Sequence, residues 1–227
     1  MLNVKNTIVD TLLSFVAPHL CSGCGVIGAT FCDNCKYNII SEPFSCCIVC
    51  GKLAEIGVCY DHKVAFQQAF IVGERSGALQ RLIGGFKFRN IKESYEPLAE
   101  LLQARLPVLG RNVIFVPIPT IPVHIRERGY DHMALVAKEL ARRVKRPMKR
   151  LLVRNGVSVQ HHATRIERLA QAKSAYQVTE RLDPTCTYIV LDDIVTTGAT
   201  LLEATLRLRE AGAVTIWVAA IARQPLD

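Results

Sequence analysis

The sequence predicts an α/β fold, a parallel sheet flanked by helices, with a small cysteine-rich module in front of it. Three observations carry that expectation. The chain has 227 residues, enough for one sizeable core and one accessory module but too short for three ordinary domains. Two apolar runs, Val113 to Val116 and Tyr188 to Leu191, each lead through a turn into a segment of helical spacing (Met133 to Val144 and Leu201 to Ala211), the strand-turn-helix pattern of such sheets. Eight of the nine cysteines fall between Cys21 and Cys59, leaving only Cys186 in the remainder. Half of the residues are hydrophobic and 21% are charged, proportions that exclude wholesale disorder.

In chain order, the first expected element is an amphipathic helix within residues 1–18. Ile8, Val9, Leu12, Leu13 and Val16 recur at helical spacing, Asp10 interrupts the apolar run, and no small-residue cleavage site precedes Cys21. No run of 18 apolar residues exists, so no membrane span is expected. A cytoplasmic, reducing location follows, in which cysteines are thiols or metal ligands.

Residues 19–65 form the cysteine module. Cys21, Cys24, Cys32 and Cys35 are spaced C-x2-C-x7-C-x2-C, and Cys47, Cys50, Cys59 and His62 are spaced C-x2-C-x8-C-x2-H; Gly25 and Gly51 each follow the second ligand. A two-residue gap lets a tight turn aim both donor atoms at one ion, and two such turns complete a tetrahedral zinc shell. Two closed four-ligand shells leave no open position for a substrate, so both zinc ions are expected to be structural and to fold a segment too short for its own core. Spacing leaves open whether ligands pair within each half or across the halves, and whether Cys46 replaces Cys47. Only Cys47 preserves the repeat.

Residues 66–227 form the α/β domain. Charge is uneven along the chain: residues 1–65 carry 4 Lys/Arg against 5 Asp/Glu, residues 66–175 carry 20 against 8, and residues 176–227 carry 4 against 7. A basic middle of this kind suits phosphate-bearing ligands or nucleic acid. The strand ending at Pro117 and Pro119 is followed by a basic loop, His124 to Asp131, holding Arg126 and Arg128. Residues 155–176 are polar, basic and long for a connection, as functional lids are; His161 and His162 are expected to be exposed loop histidines. The strand at Tyr188 runs into Asp192 and Asp193, then into Thr196, Thr197, Gly198, Ala199 and Thr200. Amides and hydroxyls at the helix start suit an anion, whereas the two carboxylates call for a partner that wants acceptors, such as sugar hydroxyls or a metal. Ribose beside phosphate meets both requirements.

The acidic pair and Thr-Thr-Gly-x-Thr turn resemble the phosphoribosyl pyrophosphate (PRPP) loop of type I phosphoribosyltransferases. The resemblance implies that fold for residues 66–227. It also implies that Asp192 and Asp193 hold the ribose hydroxyls as catalytic residues, that Thr196 to Thr200 cradle the 5′-phosphate, that Arg126 and Arg128 grip pyrophosphate accompanied by magnesium, and that residues 155–176 close as a hood. With a double zinc ribbon at the N-terminus and Arg128-Gly129 after the Pro117/Pro119 strand, the chain is similar over nearly its whole length to the ComF family of competence proteins. That family implies a role in DNA uptake and natural transformation, with single-stranded DNA, a DNA-uptake helicase or recombination proteins as partners; the alternative is an active phosphoribosyltransferase using PRPP and an unidentified base or amine. Asp131 and Gln171 stand where the family commonly has Asn, which alters the donors near the ligand. The ribbons lack basic-aromatic interleaving, so residues 19–65 are expected to dock a protein.

Overall fold

The computed structural model describes residues 19–154 and 175–225. The expected N-terminal helix and most of the expected hood, with His161, His162 and Gln171, lie outside the described residues. Four parallel strands, β1 (Gln68–Glu74), β2 (Val113–Pro117), β5 (Thr187–Val195) and β6 (Thr215–Arg223), form one sheet in the order β1-β6-β5-β2. The helices are α1 (Asp33–Ile40), α2 (Gly77–Phe88), α3 (Tyr95–Arg105), α4 (Pro122–Arg128), α5 (His132–Val144) and α6 (Ala199–Glu210). A short antiparallel pair, β3 (Leu152–Arg154) and β4 (Tyr176–Val178), stands beside the sheet.

Strand periodicity splits the core in two. On β5, Ile189 and Leu191 join Leu82, Leu98, Leu102 and Leu140 of α2, α3 and α5 on one face. Tyr188 and Val190 join Leu201 and Leu208 of α6 and Tyr176 of β4 on the other. Side chains that alternate across a strand must do this when both faces are covered, which is why β5 and β2 read as unbroken apolar runs. The free edge of β2 is partly paired: Phe115 donates its N–H to the Pro147 carbonyl at 2.9 Å and accepts one from Lys149 at 2.9 Å.

The cysteine module is built into this core. Cys21, Phe31 and Cys35 belong to the first buried cluster and Ile48 to the second, against which Phe44, Val49, Val58 and Val64 also pack. Lys36 of α1 pairs with Glu100 of α3 at 2.6 Å, and the Arg105 guanidinium donates to the Glu42 carbonyl at 2.7 Å.

Residues expected as a basic loop instead include the seven-residue helix α4, which has proline at its first position and Gly129, with φ of 78°, immediately after its end. Those are the helix start and stop signals, and here they outweigh the polarity of the segment. Asp131 caps α5: its Oδ1 accepts the Ala134 N–H at 3.1 Å and the Thr120 hydroxyl at 2.8 Å. An Asn at this position offers the same acceptor. Asp131→Asn is therefore expected to leave stability within about 0.5 kcal/mol of wild type, while Asp131→Ala costs about 1–2 kcal/mol; urea denaturation of the two variants checks the difference.

Candidate functional site

The carboxyl ends of parallel strands form the crevice in which open α/β sheets hold ligands. Here that edge is made by Pro117 of β2, Val195 of β5, and the segments that follow them. Asp192 and Asp193 lie near the end of β5 and are adjacent in the pleat, so they leave the strand on opposite faces. They therefore meet different surroundings.

Asp193 is buried beneath α2 and α5. Its Oδ2 accepts from Lys87 Nζ at 2.6 Å and forms a short hydrogen bond with His132 Nε2. His132 Nδ1 lies 3.2 Å from an Arg128 guanidinium nitrogen and 3.0 Å from the Thr120 hydroxyl. Guanidinium can only donate, so in that contact Nδ1 is the acceptor and Nε2 carries the proton given to Asp193. Burial works against ionisation of Asp193, but the hydrogen bond from His132 and the charge of Lys87 outweigh it and bring the carboxyl down to about 2. Asp192 lacks such partners. Burial pushes it up to about 8, the negative charge of Asp193 adds to the rise, and the Asp193 N–H, donated to Asp192 Oδ1 at 2.9 Å, only partly offsets it. The two acids thus differ in charge near neutral pH, one ionised and one largely protonated.

After Val195 the chain bends through Thr196 and Thr197, both exposed, into Gly198, whose φ of 77° is the left-handed conformation that glycine adopts without strain. The N-cap Gly198 offers no side-chain acceptor, and among the described residues the Thr197 hydroxyl, which accepts the Ala199 N–H at 3.4 Å, is the one side chain bonded to the first amides of α6. Ala199 is exposed and Thr200 half-buried. Across the crevice, α4 presents Arg128 toward His132. Arg126, two residues earlier, leaves the helix on another side and is exposed, since positions two apart do not share a helix face. The structure thus links Arg128 to Asp193 through His132, while among the described residues Arg126 makes no side-chain hydrogen bond or ion pair.

Lys87 and His132 were not legible as site residues in the sequence. Lys87 reads as the charged end of an apolar helix, and His132 as the residue after a cap. Tertiary contacts bring both in: Phe86 stacks on Tyr130 with ring centroids 5.5 Å apart, and the Tyr130 hydroxyl donates to the Phe86 carbonyl at 2.6 Å. Nothing local marks Lys87, since only one of its phenylalanine neighbours is buried: Phe86 is in the core and Phe88 is exposed. Arg154 is a further addition: it donates to the Pro119 carbonyl at 3.0 Å, lies 5.1 Å from the Tyr176 ring and favours the charged form of Asp192.

The eight expected zinc ligands form two separate groups, Cys21/Cys24/Cys32/Cys35 and Cys47/Cys50/Cys59/His62, with donor atoms within 4.8 Å of one another in each. Pairing is local, not crossed. Sulfur separations of 3.8 Å (Cys21–Cys35), 3.6 Å (Cys24–Cys32) and 3.7 Å (Cys50–Cys59) match the ~3.8 Å edge of a tetrahedron with ~2.3 Å zinc–sulfur bonds. Amides of Gly23 and Cys32 approach Cys21 Sγ at 3.3 Å each, the arrangement that supports a bound thiolate. The donor sets therefore fit zinc. Cys46 is placed by the repeat: it forms a β-bridge to Leu53, as Leu20 does to Ile27, so it replaces an apolar residue outside the ligand set.

No protein-family model matches the chain. It is 29% identical over 210 residues to Competence protein F of Haemophilus influenzae, a match covering 85% of this chain and 90% of the relative. Among solved structures it is similar to the allosteric regulatory enzyme of purine biosynthesis and to the glutamine PRPP amidotransferase of B. subtilis, each at 17% identity and a TM-score of 0.40 over 56% of this chain; the match spans 26% of either enzyme. Among the described residues no helix is long and apolar enough to cross a membrane.

The split acid pair sets a pH dependence. A carboxyl raised from its ordinary value to about 8 contributes full stability below pH ~4 and loses it as pH rises through 8. Ligand-free protein is therefore expected to melt at a lower temperature at pH 8.5 than at pH 5.5, and Asp192→Asn is expected to flatten that fall. Asp193 acts oppositely: its contribution is present above pH ~4 and is lost as pH falls toward 2. Differential scanning calorimetry across this range reads both.

Proposed function

We propose that this relative of Competence protein F binds a ribose phosphate of the PRPP class at the carboxyl edge of its sheet and works in DNA uptake during natural transformation. The observation that carries the reading is the meeting, at one edge, of a split acid pair, a glycine-led helix start within Thr196–Thr200, and Arg128. In this reading Asp193, ionised and held by Lys87 and His132, accepts from one ribose hydroxyl. Asp192, on the other face of the strand, accepts from the second once the ligand's hydroxyls replace its lost hydration. The turn amides and the hydroxyls of Thr196, Thr197 and Thr200 take the 5′-phosphate. Arg128 takes pyrophosphate oxygens, with Arg126 an outer contribution to the local positive potential. Magnesium, arriving with the pyrophosphate, neutralises part of its charge.

The two zinc ribbons serve as structure in this reading and as a docking face for a protein of the uptake machinery, a helicase or a recombination mediator. Exposed apolar side chains at their tips, Ile27 at 66% and Leu53 at 83% exposure, favour a protein partner over a nucleic acid there. Single-stranded DNA is assigned to the basic stretch of sequence over residues 66–175.

Titration calorimetry with Mg-PRPP tests the ligand. Wild type is expected to bind, and Asp192→Asn/Asp193→Asn or Arg128→Gln to weaken binding at least about tenfold, the loss of one charge-assisted hydrogen bond or more. No heat and no thermal shift from PRPP in wild type would sink the reading. Pyrophosphate release across a panel of bases separates a binding role from phosphoribosyl transfer. Binding to single-stranded DNA, if carried by this stretch, should weaken with salt at a log–log slope of about −0.7 per phosphate contacted.

A further inference from the structure

The two halves of the cysteine module are equivalent at the level of single hydrogen bonds. Gly25 donates to the Cys21 carbonyl at 2.8 Å as Gly51 does to that of Cys47 at 2.9 Å. The third residue of each first knuckle, Gly23 or Val49, turns its amide toward the leading cysteine sulfur. A turn that aims its N–H groups inward at sulfur must aim carbonyls outward, and these need donors. In both halves the donor is an arginine of the α/β domain, and both use the same fork. Arg81 of α2 gives Nε to the Ser22 carbonyl at 2.8 Å and Nη2 to that of Gly23 at 2.6 Å. Arg223, the last residue of β6, gives Nε to the Ile48 carbonyl at 3.1 Å and Nη2 to that of Val49 at 3.4 Å.

The second fork is buried. Arg223 is 3% exposed and Ile48 is fully buried, and among the described residues no carboxylate lies within ion-pair distance of Arg223. A buried guanidinium without a counter-charge is costly. Three thiolates and a neutral imidazole around a divalent zinc leave one net negative charge, and four thiolates leave two. Each arginine is thus placed, one peptide away, beside an anionic centre. Pulling on a peptide carbonyl also makes the hydrogen-bonded chain beyond it stronger.

We propose that Arg81 and Arg223 are outer-sphere positioning residues of the two zinc centres, and that Arg223 makes the second centre a support of the Thr196–Thr200 turn. The second clause rests on register and proximity. Arg223 pairs with Val195 in the sheet, Gln224 donates its N–H to the Val195 carbonyl at 2.8 Å, and a Cβ on Gly198 would stand 3.9 Å from the Ile48 carbonyl. The Cys47–Cys50 knuckle therefore lies directly behind the turn that opens α6. Arg81 touches no part of that turn, so the two forks differ in what they transmit.

The inference depends on the zinc reading above, and the test keeps the two apart. The full chain is assayed for metal content, then for release of zinc to a chromogenic chelator. Cobalt loading distinguishes the centres, because a site of four thiolates and a site of three thiolates and one imidazole absorb differently. Wild type is expected to hold two zinc ions. Arg223→Gln is expected to speed loss of the ion held by Cys47, Cys50, Cys59 and His62 about tenfold and leave the all-cysteine site unchanged, and Arg81→Gln to do the converse. Arg223→Lys, which keeps the charge but reaches one carbonyl, should fall between; with the exposed Arg81 it carries the test if Arg223→Gln does not fold. Amide exchange at residues 196–200 should rise in Arg223→Gln and stay at the wild-type level in Arg81→Gln. A wild-type chain without zinc removes the zinc reading itself. Two zinc ions with unchanged release in the variants, or both ions loosened equally by either variant, overturns the proposal.

Discussion

The constraint on which the site depends is the two-residue period of β5. This strand runs through the middle of the sheet with both faces covered, and from Tyr188 to Leu191 its side chains alternate between a cluster under α2, α3 and α5 and a cluster under α6 and the β3–β4 pair. Where the apolar run stops, the alternation continues, and it delivers two successive carboxylates to two different environments. Asp193 inherits the face on which Lys87, His132 and Arg128 meet, and Asp192 the opposite face, where the charges of Lys87 and Arg154 only partly offset the cost of burial. The electrostatic asymmetry of the pair follows from the pleat.

That asymmetry is maintained by packing away from the acids. Lys87 reaches Asp193 because the end of α2 is fixed to the segment before α5 by the Phe86–Tyr130 stack and by the Tyr130 hydroxyl. The entry of α5 is fixed in turn by the Asp131 cap, which also holds Thr120 beside His132. A connected set of hydrogen bonds therefore runs from α4 through His132 to β5. Any ligand that engages Arg128 draws on the same donor that steadies the imidazole.

The cysteine module is not an appendage joined by a linker. Each half contributes buried residues to a different face of the same sheet, so the sequence repeat becomes a division of labour: the first half completes the cluster of α2 and α3, the second closes the cluster beneath α6. Small metal-held segments lack a core of their own, and this one borrows two. The borrowing places the second knuckle against the turn that opens α6.

Much of this was determined by the sequence alone. Spacing decided the ligand types and their number, since a two-residue gap lets a pair of donors aim at one ion, and the apolar runs at Val113 and Tyr188 marked strands covered on both faces. The acid pair and the threonine-glycine turn were legible because one short segment contains all of them. What needed the tertiary structure was everything contributed by remote parts of the chain. Local rather than crossed pairing, the placement of Cys46 opposite Leu53, and the convergence of Lys87 and His132 on Asp193 depend on which elements pack together. A lysine at a helix end or an arginine at a strand end has no local signature, because its role is set by the carboxylate or carbonyl that folding brings to it.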